Sequence, residues 1–205
     1  ADVTSAVPVL TAQDLAIRDA PYIADQLRSV PGLAVSRSGA VGGLTQIRIR
    51  GAEANHTLVF LDGIEVSNPN SGETDFGLWS GLDAARIEVL RGEQSTLYGS
   101  DAVGGVIAIE TRTDPGLRGL LEAGTEGTFR LDGRYGAEFE TGYLVASFAD
   151  VITDGVDTSG TGGEKDGSQN YSVGLRGGLD LAADWSLTAL ARYGYATVDT
   201  DPDLD

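Results

Sequence analysis

Up to about Thr113 the apolar positions change period from one segment to the next, whereas beyond Pro115 they recur on every second residue, with glycine and acidic residues between the runs. Thr11 ahead of AQDLAIRDA, with Asp14 three residues on, predicts a capped short helix. Ile23, Leu27 and Val30 share one face of a second helix expected over Pro21 to Ser29, which Pro31-Gly32 stops. Strands are expected over Gln46 to Arg50, Thr57 to Leu61, Arg86 to Leu90 and Gly105 to Thr111. Asp62-Gly63 inside LVFLDGIEVS supplies a tight turn and makes that segment a hairpin. Residues 1–113 thus read as a small α+β domain.

Residues 114–205 read as strands with two unlike faces. In GTFRLDGRYGAEF, Phe129, Leu131, Tyr135, Ala137 and Phe139 alternate with Thr128, Arg130, Asp132, Arg134 and Glu138. NYSVGLRGGLDLA and WSLTALARYGY repeat the device, while Leu117 to Ala123 and Tyr143 to Val151 are weaker because Leu120, Leu144 and Phe148 blur it. Two environments produce such strands: a soluble sandwich that packs its apolar faces together, and an outer-membrane barrel that turns them to lipid. Three features favour the barrel. The strands are about ten residues long, as a tilted crossing needs. Aromatic residues gather near strand ends, and the connections alternate in length. Glu140-Thr141-Gly142 and Ala182-Ala183-Asp184 are short, whereas Thr153 to Ser168 is long and polar. By strand parity that loop and the acidic tail DTDPDLD leave on the same, outer, side.

Charge narrows the partners. The chain has 205 residues, 31 acidic against 14 basic, for a net charge of −17, which would repel nucleic acid. The second part is the more anionic, with 17 acidic and 6 basic residues against 14 and 8 in the first. Lys165 is the only lysine; the other basic side chains are arginines, whose planar fork suits fixed, partly buried partners. Cysteine is absent, which excludes disulfides and thiolate metal sites in these residues. No apolar run is long enough for a spanning helix, and ADVTSAVPVL lacks the features of a signal peptide.

Catalytic motifs do not assemble. GSDAVG matches the glycine spacing of a phosphate-binding loop, but Gly105 and Val106 stand where a lysine and a hydroxyl residue are required. His56, the only histidine, sits at the entry of a strand in ANHTLVF without a nucleophile motif, so a structural role is expected and enzyme activity has no support. Arg50 and Arg91 each close an apolar strand before a glycine, in QIRIRG and IEVLRG, either exposed or set against a carboxylate of a partner surface.

RSVPGLAV, IRIRG, HTLVFLDGIEV and RIEVLRGEQSTLYGSDAVGGVIAIET together resemble the TonB-dependent outer-membrane receptors, in which an N-terminal plug sits in a 22-stranded barrel and admits scarce nutrients. The resemblance implies a plug over residues 1–113 and the first five antiparallel transmembrane β-barrel strands over 114–205, a partial barrel. It implies an outer-membrane location in contact with lipid. It also makes the glycine-rich centre of the last motif a tight crossover between two strands, where glycine permits positive φ and close backbone approach. Arg50 and Arg91 become candidates for pairing with carboxylates on the barrel's inner wall.

Within the family, RGAEANHTLVFLDG, LYGSDAVGGV, DGVD and RYGY are most similar to the cobalamin-receptor subclass. That similarity implies cobalamin contacts at Leu44, Gln46, Glu53, Ser71 and Gly72, and calcium in the outer loops at Asp157, Glu164 and Asp166, with Tyr195 nearby. Glu53 departs from the subclass's amide, and Ala196 stands where it supplies a further carboxylate. An iron chelate is the alternative cargo, since siderophore receptors share the plug signatures. The segment that engages TonB is expected to lie outside these residues, and five strands fall short of the family's barrel, so the chain is expected to be part of a longer receptor. A soluble calcium-stabilised β binding protein remains the alternative from the strand pattern alone.

Overall fold

The computed structural model describes residues 7–81, 83–99, 102–157, 165–182 and 184–199. The chain forms two compact units. One comprises Ala1–Ser36, Thr45–Phe76 and Ala84–Thr111; the other comprises Arg37–Leu44, Gly77–Asp83 and Arg112–Asp205. The single boundary expected near Thr113 is therefore incomplete, because two earlier segments group with the C-terminal strands.

In the first unit, β1 (Val9–Thr11) leads into α1 (Ala12–Arg18). The Thr11 hydroxyl accepts the Asp14 N–H, and the Asp14 carboxylate accepts the Thr11 N–H at 2.9 Å, closing the expected capping box. The side-chain bond to Thr11, and then the backbone one, hold the Asp14 carboxyl below its ordinary value. The second helix, α2 (Ile23–Leu27), is shorter than the expected Pro21 to Ser29. Tyr22 is still extended, and at Arg28 the chain tightens to an N–H bond with Asp25. Ile23, Leu27 and Val30 are buried on one face, as their spacing predicts.

β2 (Leu33–Arg37) and β3 (Thr45–Ile49) make a two-stranded ribbon. Arg50, expected inside the strand, instead turns out of it at φ 54° and is followed by Gly51 at φ 79°. The main sheet adds β4 (Thr57–Leu61), β5 (Ile64–Glu65), β6 (Ala84–Arg91) and β7 (Gly105–Thr111), in the order β1-β6-β7-β4-β5. β4 runs parallel to β7, and β6 antiparallel to it. Asp62 and Gly63, at φ 50° and 83°, form the two-residue turn between β4 and β5. The Asp62 carboxylate also takes the Thr111 N–H at 2.8 Å and its hydroxyl at 2.7 Å, which ties the hairpin to the end of β7. Ile87, Val89, Ile107 and Ile109 are buried at the centre of this sheet.

The glycine-rich stretch between β6 and β7 folds one strand back beside the other and contains a single turn, α3 (Ser95–Tyr98). Its glycines serve close backbone approach: a Cβ on Gly105 would fall 2.2 Å from the Leu90 carbonyl oxygen, and one on Gly104 would fall 2.9 Å from that of His56. The His56 backbone carbonyl accepts the Gly104 N–H at 2.9 Å.

The second unit is an antiparallel meander of β8 (Gly116–Ala123), β9 (Phe129–Phe139), β10 (Gly142–Thr153), β11 (Ser168–Ala182) and β12 (Trp185–Val198). One face is apolar and open, with Leu117 80% and Trp185 72% exposed. The other is polar and covered, with Arg130, Arg134, Asn170 and Ser172 buried. These strands have the two unlike faces expected of a barrel wall.

Candidate functional site

Alternation along β3 buries Thr45, Ile47 and Ile49 and leaves Gln46 and Arg48 half-buried on the other face. The Gln46 amide nitrogen donates to the Glu73 carboxylate at 2.7 Å, and the Gln46 oxygen accepts from Arg48 Nη2 at 2.9 Å. Arg48 Nη1 reaches the Ser36 hydroxyl on β2, also at 2.9 Å. Glu73 belongs to a compact turn in which the Asn68 side-chain oxygen accepts from Asn70 and Ser71, and the Gly72 N–H bonds to the Asn68 carbonyl. Gly72 takes φ 71°, and a Cβ there would lie 3.4 Å from that of Asn55. Asn55 stands in the 3-10 turn Ala54–His56 that Glu53 precedes. Four of the five residues expected to meet cargo, Gln46, Glu53, Ser71 and Gly72, therefore gather at one end of the first unit. Leu44 belongs to the second unit and is 48% exposed.

Arg50 and Arg91 meet around the Pro31-Gly32 stop. The Arg50 N–H donates to the Gly32 carbonyl at 2.8 Å, and Arg91 Nη1 donates to the Pro31 carbonyl at 2.9 Å. A Cβ on Gly92 would lie 3.0 Å from the Arg50 guanidinium, so this glycine leaves room for that arginine, whereas one on Gly51 would meet nothing within 4 Å.

The arginine–carboxylate contacts that stand out in the second unit involve other residues. Asp83 lies 3.1 Å from Arg112 Nε and 3.1 Å from Arg134 Nε on β9. Burial pushes the Asp83 carboxyl above its ordinary value, against the opposing pull of Arg112, Arg134 and Arg118. The same segment, Gly77–Asp83, is bonded to β11 and β12. Asn170 donates to the Gly77 carbonyl at 2.8 Å, the Ser80 carbonyl accepts from Arg192 at 3.2 Å, and the Ser80 hydroxyl meets the Asn170 side-chain oxygen. Sequence reasoning missed Ser80 and Asp83, since nothing in GLWSGLD is periodic; the available signal was the recurrence of arginine on the covered face of the strands.

Of the expected calcium ligands, Asp157 follows β10 and Asp166 precedes β11. The Asp166 N–H donates to the Val156 carbonyl at 3.2 Å, and Asp166 is buried. Glu164 lies outside the described residues. A polar cavity of about 300 Å³ opens nearby, lined in part by Asp154, Gln169 and Asp199. Carboxylate oxygens are the donors calcium prefers, although among the described residues no three acidic, histidine or cysteine side chains converge at a metal-binding spacing.

A family model described as "TonB-dependent Receptor Plug Domain" matches residues 1–106. The chain is 30% identical over 207 residues to the vitamin B12 transporter BtuB of Photobacterium profundum, covering 98% of this chain and 34% of that relative. It is 35% identical over 109 residues to BtuB of Vibrio vulnificus, covering 53% of this chain and 18% of the relative. The chain thus spans about a third or less of the length of these relatives. Among solved structures, the siderophore receptor PirA from Acinetobacter baumannii superposes with a TM-score of 0.74 at 23% identity, over 94% of this chain and 32% of that one. The copper transporter OprC does so with a TM-score of 0.75 at 22% identity, over 94% and 31%. Likeness at this level carries the fold, an α+β plug followed by antiparallel barrel strands.

Proposed function

Since the chain belongs to the TonB-dependent receptors, we propose that it forms the plug and first wall strands of a transporter that takes up cobalamin. The family is one of outer-membrane receptors, not enzymes, and the outer membrane is where this chain resides. The observation that carries the cargo is the identity to a vitamin B12 transporter over 98% of the chain, which spans both units. The siderophore- and copper-named structures, at 22–23% identity, speak for fold alone.

In this reading cobalamin rests on Leu44, Gln46, Glu53, Ser71 and Gly72, and no bond is made or broken. Arg50 and Arg91 pair with carboxylates of the wall, and TonB supplies the pull through a segment outside these residues. Calcium, held by Asp157, Glu164 and Asp166, orders the outer loop; the support is the donor chemistry and the backbone bond from Asp166 to Val156, the residue before Asp157. A ferric siderophore is the alternative cargo, since siderophore receptors share the plug signatures and Glu53 stands where the cobalamin subclass carries an amide.

The test is uptake by the complete receptor in cells that lack their own cobalamin receptor. Labelled cobalamin should accumulate when TonB is present and not when it is deleted. Accumulation of a ferric chelate with no cobalamin uptake would replace the cargo; TonB-independent accumulation would refute the energised gate.

A further inference from the structure

We infer that Arg48 and Glu73 are positioning residues that fix the hydrogen-bonding face of Gln46, so that the rim selects a neutral carboxamide over a carboxylate on the cargo. The inference rests on the cobalamin reading and concerns which part of that molecule the plug inspects.

A glutamine amide has two N–H donors and two acceptor lone pairs, and it ordinarily turns over to suit a ligand. Gln46 is not free to do so. Its oxygen takes a bond from the Arg48 guanidinium at 2.9 Å, and its nitrogen gives one to the Glu73 carboxylate at 2.7 Å. A guanidinium can only donate and an ionised carboxylate can only accept, so a flipped amide would set N–H against N–H and oxygen against oxygen. The Arg48 side chain and the Glu73 backbone are themselves held. Arg48 bonds the Ser36 hydroxyl at 2.9 Å, the Glu73 N–H bonds the Ser71 hydroxyl at 3.3 Å, and the Glu73 carbonyl takes the Asn68 N–H at 2.8 Å.

After these two bonds one N–H and one lone pair of Gln46 remain. A primary carboxamide, with its own N–H and oxygen, answers both. A carboxylate answers only the N–H, faces the Gln46 lone pair with another acceptor, and adds an anion beside Glu73. Cobalamin carries neutral carboxamides around its ring, and hydrolysis of one yields a monoacid of the same shape. Sites that use a ligand's hydrogen-bonding groups discriminate strongly against analogues that cannot return the bond. Because Gln46 is only half-buried, the expected preference is about tenfold to a hundredfold.

Equilibrium binding of cobalamin and of its separate monoacids to the complete detergent-solubilised receptor tests this. The wild type should bind at least one monoacid about tenfold or more weakly than cobalamin. Glu73→Leu and Arg48→Met combined should bring that ratio close to one while changing cobalamin affinity only a few-fold, and Glu73→Asp, which keeps the ionised acceptor, should retain the preference. Retained cobalamin binding shows that each variant is folded. An unchanged ratio in the Glu73→Leu, Arg48→Met double variant overturns the inference, as does a wild type that binds every monoacid as well as cobalamin. Failure of the cobalamin reading itself would show earlier and differently, as a wild-type receptor that does not bind cobalamin at all.

Discussion

Replacing Gly81 with alanine should lift the Gly77–Asp83 segment from the strands it lies on. Gly81 sits at φ 56°, and a Cβ there would fall 1.9 Å from the Ala149 Cβ and 2.9 Å from an Asp132 carboxylate oxygen. Two carbons at rest stand about 3.5–4.0 Å apart. Ala149 has no long side chain to swing aside, and its backbone is paired on both sides, with Asp132 on β9 and Ser172 on β11. Left-handed backbone costs a residue with a Cβ about 1–2 kcal/mol, and forcing a methyl into filled space costs about 1–3 kcal/mol. The combined cost of roughly 2–5 kcal/mol rivals the net gain of about 0.5–1.5 kcal/mol from each hydrogen bond holding Gly77 and Ser80. The segment should therefore detach in preference to remaining strained. Hydrogen exchange on the complete receptor should show peptides covering residues 77–81 exchanging about 30-fold faster or more. Gly39→Ala is the control: its φ is 74° and nothing lies within 4 Å of the added carbon, so only the backbone cost applies. Wild-type exchange at 77–81 in Gly81→Ala, or loosening in Gly39→Ala of its own turn by as much as Gly81→Ala loosens residues 77–81, would refute the reasoning.

Thr11→Ala should cost about 1 kcal/mol of local stability in α1, read as faster exchange of its first-turn amides. Because the folded Asp14 carboxyl is held below its ordinary value, the protection Asp14 gives α1 should be present above 3.8 and fade as pH falls through the lowered value; protection flat across that range would contradict it. Asp83 behaves oppositely. Its raised carboxyl makes a contribution that is full below 3.8 and lost as pH rises through the folded value, so Asp83→Asn should remove that limb from a stability–pH curve, and an unchanged curve would count against the burial argument. An Asp157→Ala, Asp166→Ala double variant should lower calcium affinity about tenfold or more by calorimetry on the complete receptor, since two charged oxygen donors are lost; undiminished affinity would remove the calcium proposal.

Local chemistry was readable where it is self-contained. The Thr11–Asp14 box, the Asp62-Gly63 turn and the two faces of β9, β11 and β12 follow from spacing alone. Residues set by distant partners were not readable. β1 is three residues long and exists by pairing with β6, more than seventy positions away. Arg50 leaves β3 because the carbonyl of Gly32 takes its N–H. β10 blurs its alternation because it is apolar on both faces: Leu144 and Phe148 are exposed on one, and Val145, Ala149 and Val151 are buried on the other, Ala149 beside Gly81. At the rim, the cargo residues came from family resemblance, whereas Arg48 and Glu73 became visible only when β3 and the Asn68–Glu73 turn were brought together in space. Asp83 likewise pairs with an arginine fifty-one residues further on, a relation that no local pattern encodes.

The orientation of the strand faces is open to direct measurement. These residues contain no cysteine, so a single spin label can be placed in them without background from this stretch. With the complete receptor in lipid vesicles, labels at Leu121, Leu175 and Leu187 should relax with dissolved oxygen and be shielded from a water-soluble nickel complex. Labels at Arg134 and Ser172 should be shielded from oxygen. Nickel access at the three leucine positions, with oxygen access at Arg134 and Ser172, would contradict a wall that turns its apolar side to lipid.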